Sequence, residues 1–168
     1  SITQYLGFWN YGDEYKIMGM AAYGKPKYLD EMRQLIKCVE SGKFELNTDY
    51  FNHPDEGVSM EFDGGYPVIG AVFSDQLMDL MGPARKSSEE VTQLHKDIAC
   101  SVQFVYEEIL FHILSSKYNV SYTKDNFNST IGMPMSIFSI SNSDDMFLAE
   151  MGTNKKGEIK FLCEVAKP

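Results

Sequence analysis

The sequence predicts an α/β protein, with a mixed α+β arrangement as the alternative. Three observations carry that expectation. Apolar residues make up 43% and charged residues 23% of 168, the profile of a soluble globular domain with a real core. Val91, Leu94, Ile98, Val102, Val105, Ile109 and Ile113 step by three or four residues, the period of one long helix. The last third reads as strand, strand, helix, which suits an α/β sheet.

Taken in order, Ile2 to Leu6 reads either as a strand or as the last turn of a helix ending at Gly7. An opening on this apolar stretch without a cap reads as truncated. Asp13 to Pro26 contains Gly19, Gly24 and Pro26, and is expected to be a closely bending loop. Tyr28, Leu29, Met32, Leu35, Ile36 and Val39 then recur at helical spacing, and Gly42 stops that helix. Lys43 to Leu46 alternates like a short strand. Asp49 to Gly65 is polar and glycine-bearing, and reads as loop. Phe73 to Met81 is expected as a short helix closed by Gly82 and Pro83.

Ser87 and Glu90 have capping-box spacing ahead of the long helix, expected over 89–118. Glu89 and Glu90 suit its positive end and Lys117 its negative end. His112 lies beside the apolar stripe and reads as a core-edge histidine. Gly132–Pro134 reads as a turn, Met135–Ile140 and Met146–Met151 as strands, and Gly157–Lys167 as a helix with Ile159, Leu162, Val165 and Ala166 on one face.

The character of the chain changes after Asn119. Residues 1–119 carry 18 acidic and 10 basic side chains, whereas residues 120–168 carry 6 and 5. Two domains are therefore expected, 1–119 and 120–168. The formal net charge of -9 argues against nucleic acid, which needs a basic patch, and against an anionic membrane surface. No apolar run is expected to span a bilayer. Cys38, Cys100 and Cys163 lie far apart with no Cys-x-x-Cys pair, so neither a zinc site nor a disulfide framework is expected. Reduced core cysteines point to the cytoplasm.

The ordered blocks YLGF (Tyr5–Phe8), DEYKIMGMAAYGKPKY (Asp13–Tyr28), DYF (Asp49–Phe51), LMGPARK (Leu80–Lys86) and LHKDIACSVQFVYEEIL (Leu94–Leu110) resemble the O-carbamoyltransferases that modify antibiotics and nodulation factors. The resemblance implies a partial domain of the actin-like ATPase superfold. It also implies an activity: ATP and carbamoyl phosphate form a carbamoyl-adenylate, whose carbamoyl group passes to a small-molecule hydroxyl. ATP and Mg²⁺ are the implied cofactors. Glu14, Lys16, Gly19 and Gly24 would lie near the nucleotide, where glycines let backbone approach phosphate and Lys16 supplies a point charge. In an acidic chain such a site needs local help from Lys16, Lys25, Lys27 or Arg85. The family's histidine cluster and Gly-rich nucleotide loop are not found; His53 and His95 lack the spacing. An iron-type metal site is therefore not expected, and the missing remainder of the catalytic domain becomes an implied partner.

TKDNFNSTIGMP (Thr123–Pro134) and MFLAEMGTNKKGEIKFLCEVAKP (Met146–Pro168) resemble the central domain of Mur ligases, closest to the type that adds D-alanyl-D-alanine to the UDP-muramoyl tripeptide. That resemblance implies Thr123, Asn126 and Asn128 as contacts to the UDP-linked substrate and Glu150 as a magnesium ligand. Asp125 stands where glycine is usual and Ser129 where asparagine is usual, and the upstream phosphate loop is missing. The leading expectation is a bacterial, cytoplasmic carbamoyltransferase-like fragment, fused near residue 120 and inactive alone. A Mur ligase piece and a non-catalytic interaction remnant are the alternatives.

Overall fold

Gly7 closes the first element. In the computed structural model, which describes residues 1–52, 57–124, 127–153 and 155–168, Ile2–Tyr5 is a helix (α1) and Gly7 takes φ 82°. Of the two readings of this stretch, the structure takes the helical one. Tyr5 and Leu6 are buried, and the Tyr5 hydroxyl donates to the carbonyls of Met81 and Gly82. A Cβ on Gly7 would stand 2.8 Å from the Arg85 carbonyl oxygen, so this position also needs the absent side chain.

The chain divides into two compact units, Ser1–Leu110 and Phe111–Pro168. The change of composition after Asn119 lies within the second.

In the first unit, the stretch expected as a loop from Asp13 to Pro26 instead forms helix α2 over Glu14–Ala21. Ile17 and Ala21, four residues apart, are both buried, and that burial outweighs the helix cost of Gly19. Within this stretch the loop is confined to residues 22–26. The next helix, α3, spans Leu29–Leu35 rather than running to Gly42. Ile36–Val39 is strand β1, paired antiparallel with Lys43–Leu46, strand β2, with Ile36 opposite Leu46. Ile36 and Val39 are β-branched and favour extended backbone. Ser41 and Gly42, at φ 61° and 68°, turn the chain back.

The polar stretch from Asp49 to Gly65 also holds more structure than expected. Thr48–Tyr50 is a 3-10 turn, and Met60–Asp63 (β3) pairs antiparallel with Tyr66–Ile69 (β4). Gly64 and Gly65, both at positive φ, form the two-residue connection. His53 lies outside the described residues. Helix α4 spans Asp75–Met81 and ends on Gly82 at φ 88°, as the sequence implies.

Helix α5 runs from Gln93 to Ser115, and the unit boundary falls inside it. Its start corrects the capping-box expectation. Ser87 Oγ donates to the Gly7 carbonyl instead. A side-chain cap is made nearer the helix, where the Thr92 N–H donates to His95 Nδ1 at 2.9 Å. By length and composition α5 is long and apolar enough to cross a membrane, contrary to the expectation that no run would be. Within the first unit its Asp97, Ile98, Ala99, Ser101, Val105 and Ile109 are buried.

In the second unit Val120–Tyr122 (β5) and Met146–Leu148 (β6) pair in parallel, with Val120 opposite Met146. The expected turn at Gly132–Pro134 and strand at Met135–Ile140 give way to helix α6 over Gly132–Ile137. Pro134 sits in its first turn, where amide donors have no intrahelical partner. Helix α7 covers Glu158–Ala166, with Leu162 buried, close to the expected span. Helices and three two-stranded sheets among the described residues make this a mixed α/β fold.

Candidate functional site

Each unit holds a hydrogen-bonded cluster, built in the first by α5 residues with Lys25, Lys27 and Tyr28 and in the second by expected site residues. In the first unit the end of the Asp13–Tyr28 block lies along α5. Asp97, 3% exposed, receives the Lys25 N–H at 2.9 Å and the Gln93 amide at 2.8 Å on Oδ1. Its Oδ2 pairs with Lys27 Nζ at 2.8 Å. The same Gln93 nitrogen donates to the Tyr23 carbonyl. One turn on, Ser101 Oγ accepts the Tyr28 N–H at 3.0 Å and donates to the Asp97 carbonyl. Gln93, Asp97 and Ser101, spaced by four, thus hold Tyr23–Tyr28 along one helix face. The Lys27 ammonium first, then the Gln93 amide, pull the Asp97 carboxyl down to about 2.

Gly24 explains itself here. A Cβ on it would lie 2.0 Å from the Lys96 carbonyl oxygen and 2.8 Å from Cys100 Cβ. Its missing side chain serves the approach of this segment to α5. Around Gly19, by contrast, a Cβ would meet nothing within 4 Å.

Glu14 is exposed at the start of α2. Lys16 is half-exposed, and its ammonium pairs with the buried Asp13 carboxylate at 2.8 Å, beside the Phe8 and Tyr15 rings. That bond raises the Lys16 pKa. Of the basic residues that could help an anion, Arg85 is committed elsewhere. It is 7% exposed, stacks on Phe8, and donates to the carbonyls of Leu6, Lys86 and Glu89. Glu14, Lys16, Gly19 and Gly24 do not share one element: Gly24 belongs to the α5 junction and the other three to α2.

In the second unit Thr123, Asn128 and Glu150 converge after the strand ends. The Glu150 N–H donates to Thr123 Oγ1 at 3.2 Å, and Asn128 Nδ2 donates to Glu150 Oε1 at 3.0 Å. The Gly152 N–H donates to the Asn128 carbonyl, and a Cβ on Gly152 would stand 3.0 Å from the Asn128 amide. Asn126 lies outside the described residues. Among the described residues, no three His, Cys, Asp or Glu side chains cluster as a metal cage. Glu150 could hold Mg²⁺ in the way that suits this ion, one carboxylate completed by phosphates and water.

Asp97, Ser101 and Gln93 are not among the residues that the sequence singles out. Their signal was present as an i, i+4, i+8 polar row on an otherwise apolar helix face. The three cysteines are free and half-buried. Burial raises the thiols of Cys38 and Cys100, in keeping with unreactive packing groups.

A family model described as the carbamoyltransferase N-terminus matches residues 1–134. The protein sll1178 of Synechocystis sp. is 35% identical over 120 residues, covering 70% of this chain and 17% of that protein. Nodulation protein NolNO of Sinorhizobium fredii is 30% identical over 112 residues, 66% of this chain and 13% of its own length. The UDP-N-acetylmuramoyl-tripeptide--D-alanyl-D-alanine ligase of Borreliella burgdorferi is 37% identical over 62 residues, 37% of this chain and 13% of the ligase. The ligase match and the family match together exceed the chain, so the two similarities overlap. The chain spans less than a fifth of each of these relatives.

Proposed function

The chain belongs to the carbamoyltransferase N-terminus family, and on that premise we propose that it forms part of an ATP-using carbamoyltransferase of the actin-like ATPase superfold. In this reading α2 presents Lys16 and Glu14 towards the nucleotide. The transferred carbamoyl group ends on a substrate hydroxyl. The observation that carries the reading is the network at Asp97. It joins two of the family-like blocks, Asp13–Tyr28 and Leu94–Leu110, through the Lys25 and Tyr28 N–H bonds and the Lys27 ion pair. Lys16 would orient a phosphate as a point charge while Asp13 keeps it protonated. Mg²⁺ would neutralise phosphate charge when bound.

Turnover by these residues alone is not expected, because the family's histidine cluster and Gly-rich nucleotide loop are not among them. Isothermal titration with MgATP tests the nucleotide reading. The parent chain should bind and Lys16→Met should bind more weakly. No heat from the parent would reject it. ATP consumption in the presence of carbamoyl phosphate should stay at background, and measurable turnover would overturn that part.

A second reading, a ligase-like magnesium and substrate subsite in the second unit, is favoured by the convergence of Thr123, Asn128 and Glu150. The Asn128 amide orients the Glu150 carboxylate, and Thr123 fixes the backbone at Glu150. Mn²⁺ should broaden amide resonances around Glu150, and Glu150→Gln should abolish that. Equal broadening in the variant would refute the role of Glu150.

A further inference from the structure

We propose that Asp97 is a positioning residue: it fixes the register of Tyr23–Tyr28 on α5 and thereby sets where α2 presents Lys16 and Glu14. The consequence for nucleotide binding rests on the reading of α2 given above; the register itself does not.

The argument starts from the chemistry of a buried carboxylate. An ionised side chain taken out of water destabilises the fold unless each oxygen is paired, and apolar residues would serve packing as well or better. Ile98 and Ala99 beside it are fully buried and supply such packing. What Asp97 adds is direction. Oδ1 takes one donor from the Tyr23–Tyr28 segment and one from its own helix, and Oδ2 takes the Lys27 ammonium. The segment has few alternatives, because Gly24 touches the α5 backbone at Lys96 and Tyr28 is anchored on Ser101. Sliding the segment by one residue would leave a buried carboxylate and the Ser101 hydroxyl facing the wrong donors. The penalty for such mispairing falls on the register, since unsatisfied buried charge is costly. The Lys27 side chain is 60% exposed, so its ammonium reaches Asp97 from the solvent side.

Amide hydrogen exchange on the whole chain tests this, comparing Lys25 and Tyr28 with Val105 and Ile109 inside α5. Asp97→Asn keeps the shape and removes the charge. Lys25 and Tyr28 should exchange about tenfold faster or more, beyond any acceleration at Val105 and Ile109. A residue acting only through overall stability would accelerate all four alike, and that result, or no acceleration at Lys25 and Tyr28, overturns the proposal. Lys27→Gln changes an exposed side chain and decides the matter if Asp97→Asn does not fold. It should accelerate the same two amides selectively, by several-fold. MgATP titration of the same proteins separates the two ideas. If the parent binds, Asp97→Asn should weaken binding about tenfold. If the parent does not bind, the nucleotide reading fails, and the exchange ratios still decide the positioning role.

Discussion

Replacing Gly24 and Gly19 by alanine should move stability in opposite directions. At Gly24 the new Cβ would lie 2.0 Å from the Lys96 carbonyl oxygen, where ordinary contact begins near 3.4 Å. The segment must therefore retreat from α5 by about 1.4 Å. The obstacle is helix backbone, which cannot swing away like a side chain. Overpacking of this kind costs about 1–3 kcal/mol. A retreat of that size also stretches the Lys25 bond to the Asp97 carboxylate, whose loss costs a further 1.5–3 kcal/mol or so. Gly24→Ala should thus lose about 2.5–6 kcal/mol. Gly19 lies inside α2 with open space where a Cβ would sit, so Gly19→Ala should gain about 0.5–1 kcal/mol. Urea unfolding followed by circular dichroism is the assay. For a loss of about 3 kcal/mol the midpoint should fall by about 1–3 M. A Gly24→Ala midpoint within error of the parent, or both variants shifting the same way, would refute the account of these glycines.

Three other outcomes rest on the same geometry. Ser101→Ala removes the acceptor of the part-buried Tyr28 N–H and should destabilise by about 1–3 kcal/mol; thermal melts at two protein concentrations will show it, and an unchanged midpoint would speak against the bond. Asp97 has a folded pKa depressed to about 2 from 3.8, so its contribution is complete above pH 3.8 and is lost as pH falls from there towards 2. Acid unfolding of the parent should be steep across that window and shallower in Asp97→Asn; equal slopes would contradict it. His95 has a pKa lowered first by burial and then by Arg85, and its Nδ1 must stay unprotonated to accept the Thr92 N–H. Stability should therefore be full above pH 6.5 and decline below it as the ring takes up a proton. His95→Gln should flatten the profile between about pH 7 and 5, and an identical slope would remove His95 from the cap.

Periodic burial was legible in the chain itself. Long helix α5, the α7 face around Leu162, the strand at Lys43–Leu46 and the glycine stops at Gly7 and Gly82 come from local spacing and from backbone freedom. So did membership of the carbamoyltransferase family, because ordered blocks survive in the sequence. What local spacing could not supply was the outcome of competition between distant parts. Asp13–Ala21 carries loop signals, yet burial of Ile17 and Ala21 makes it a helix. Ile36 and Val39 fit a helical stripe, yet pairing with Leu46 and Lys43 makes them a strand. Gly19 and Gly24 look alike in sequence, and only the approach of Lys96 tells them apart. Asp97 and Ser101 are ordinary polar residues on a helix until Tyr23–Tyr28 is laid across them, since a hydrogen bond's partner more than 70 residues away has no local signature. Sequence determined which residues prefer to be buried; tertiary structure decided what each one meets there, because burial energy is summed over the whole unit rather than over a window of the chain.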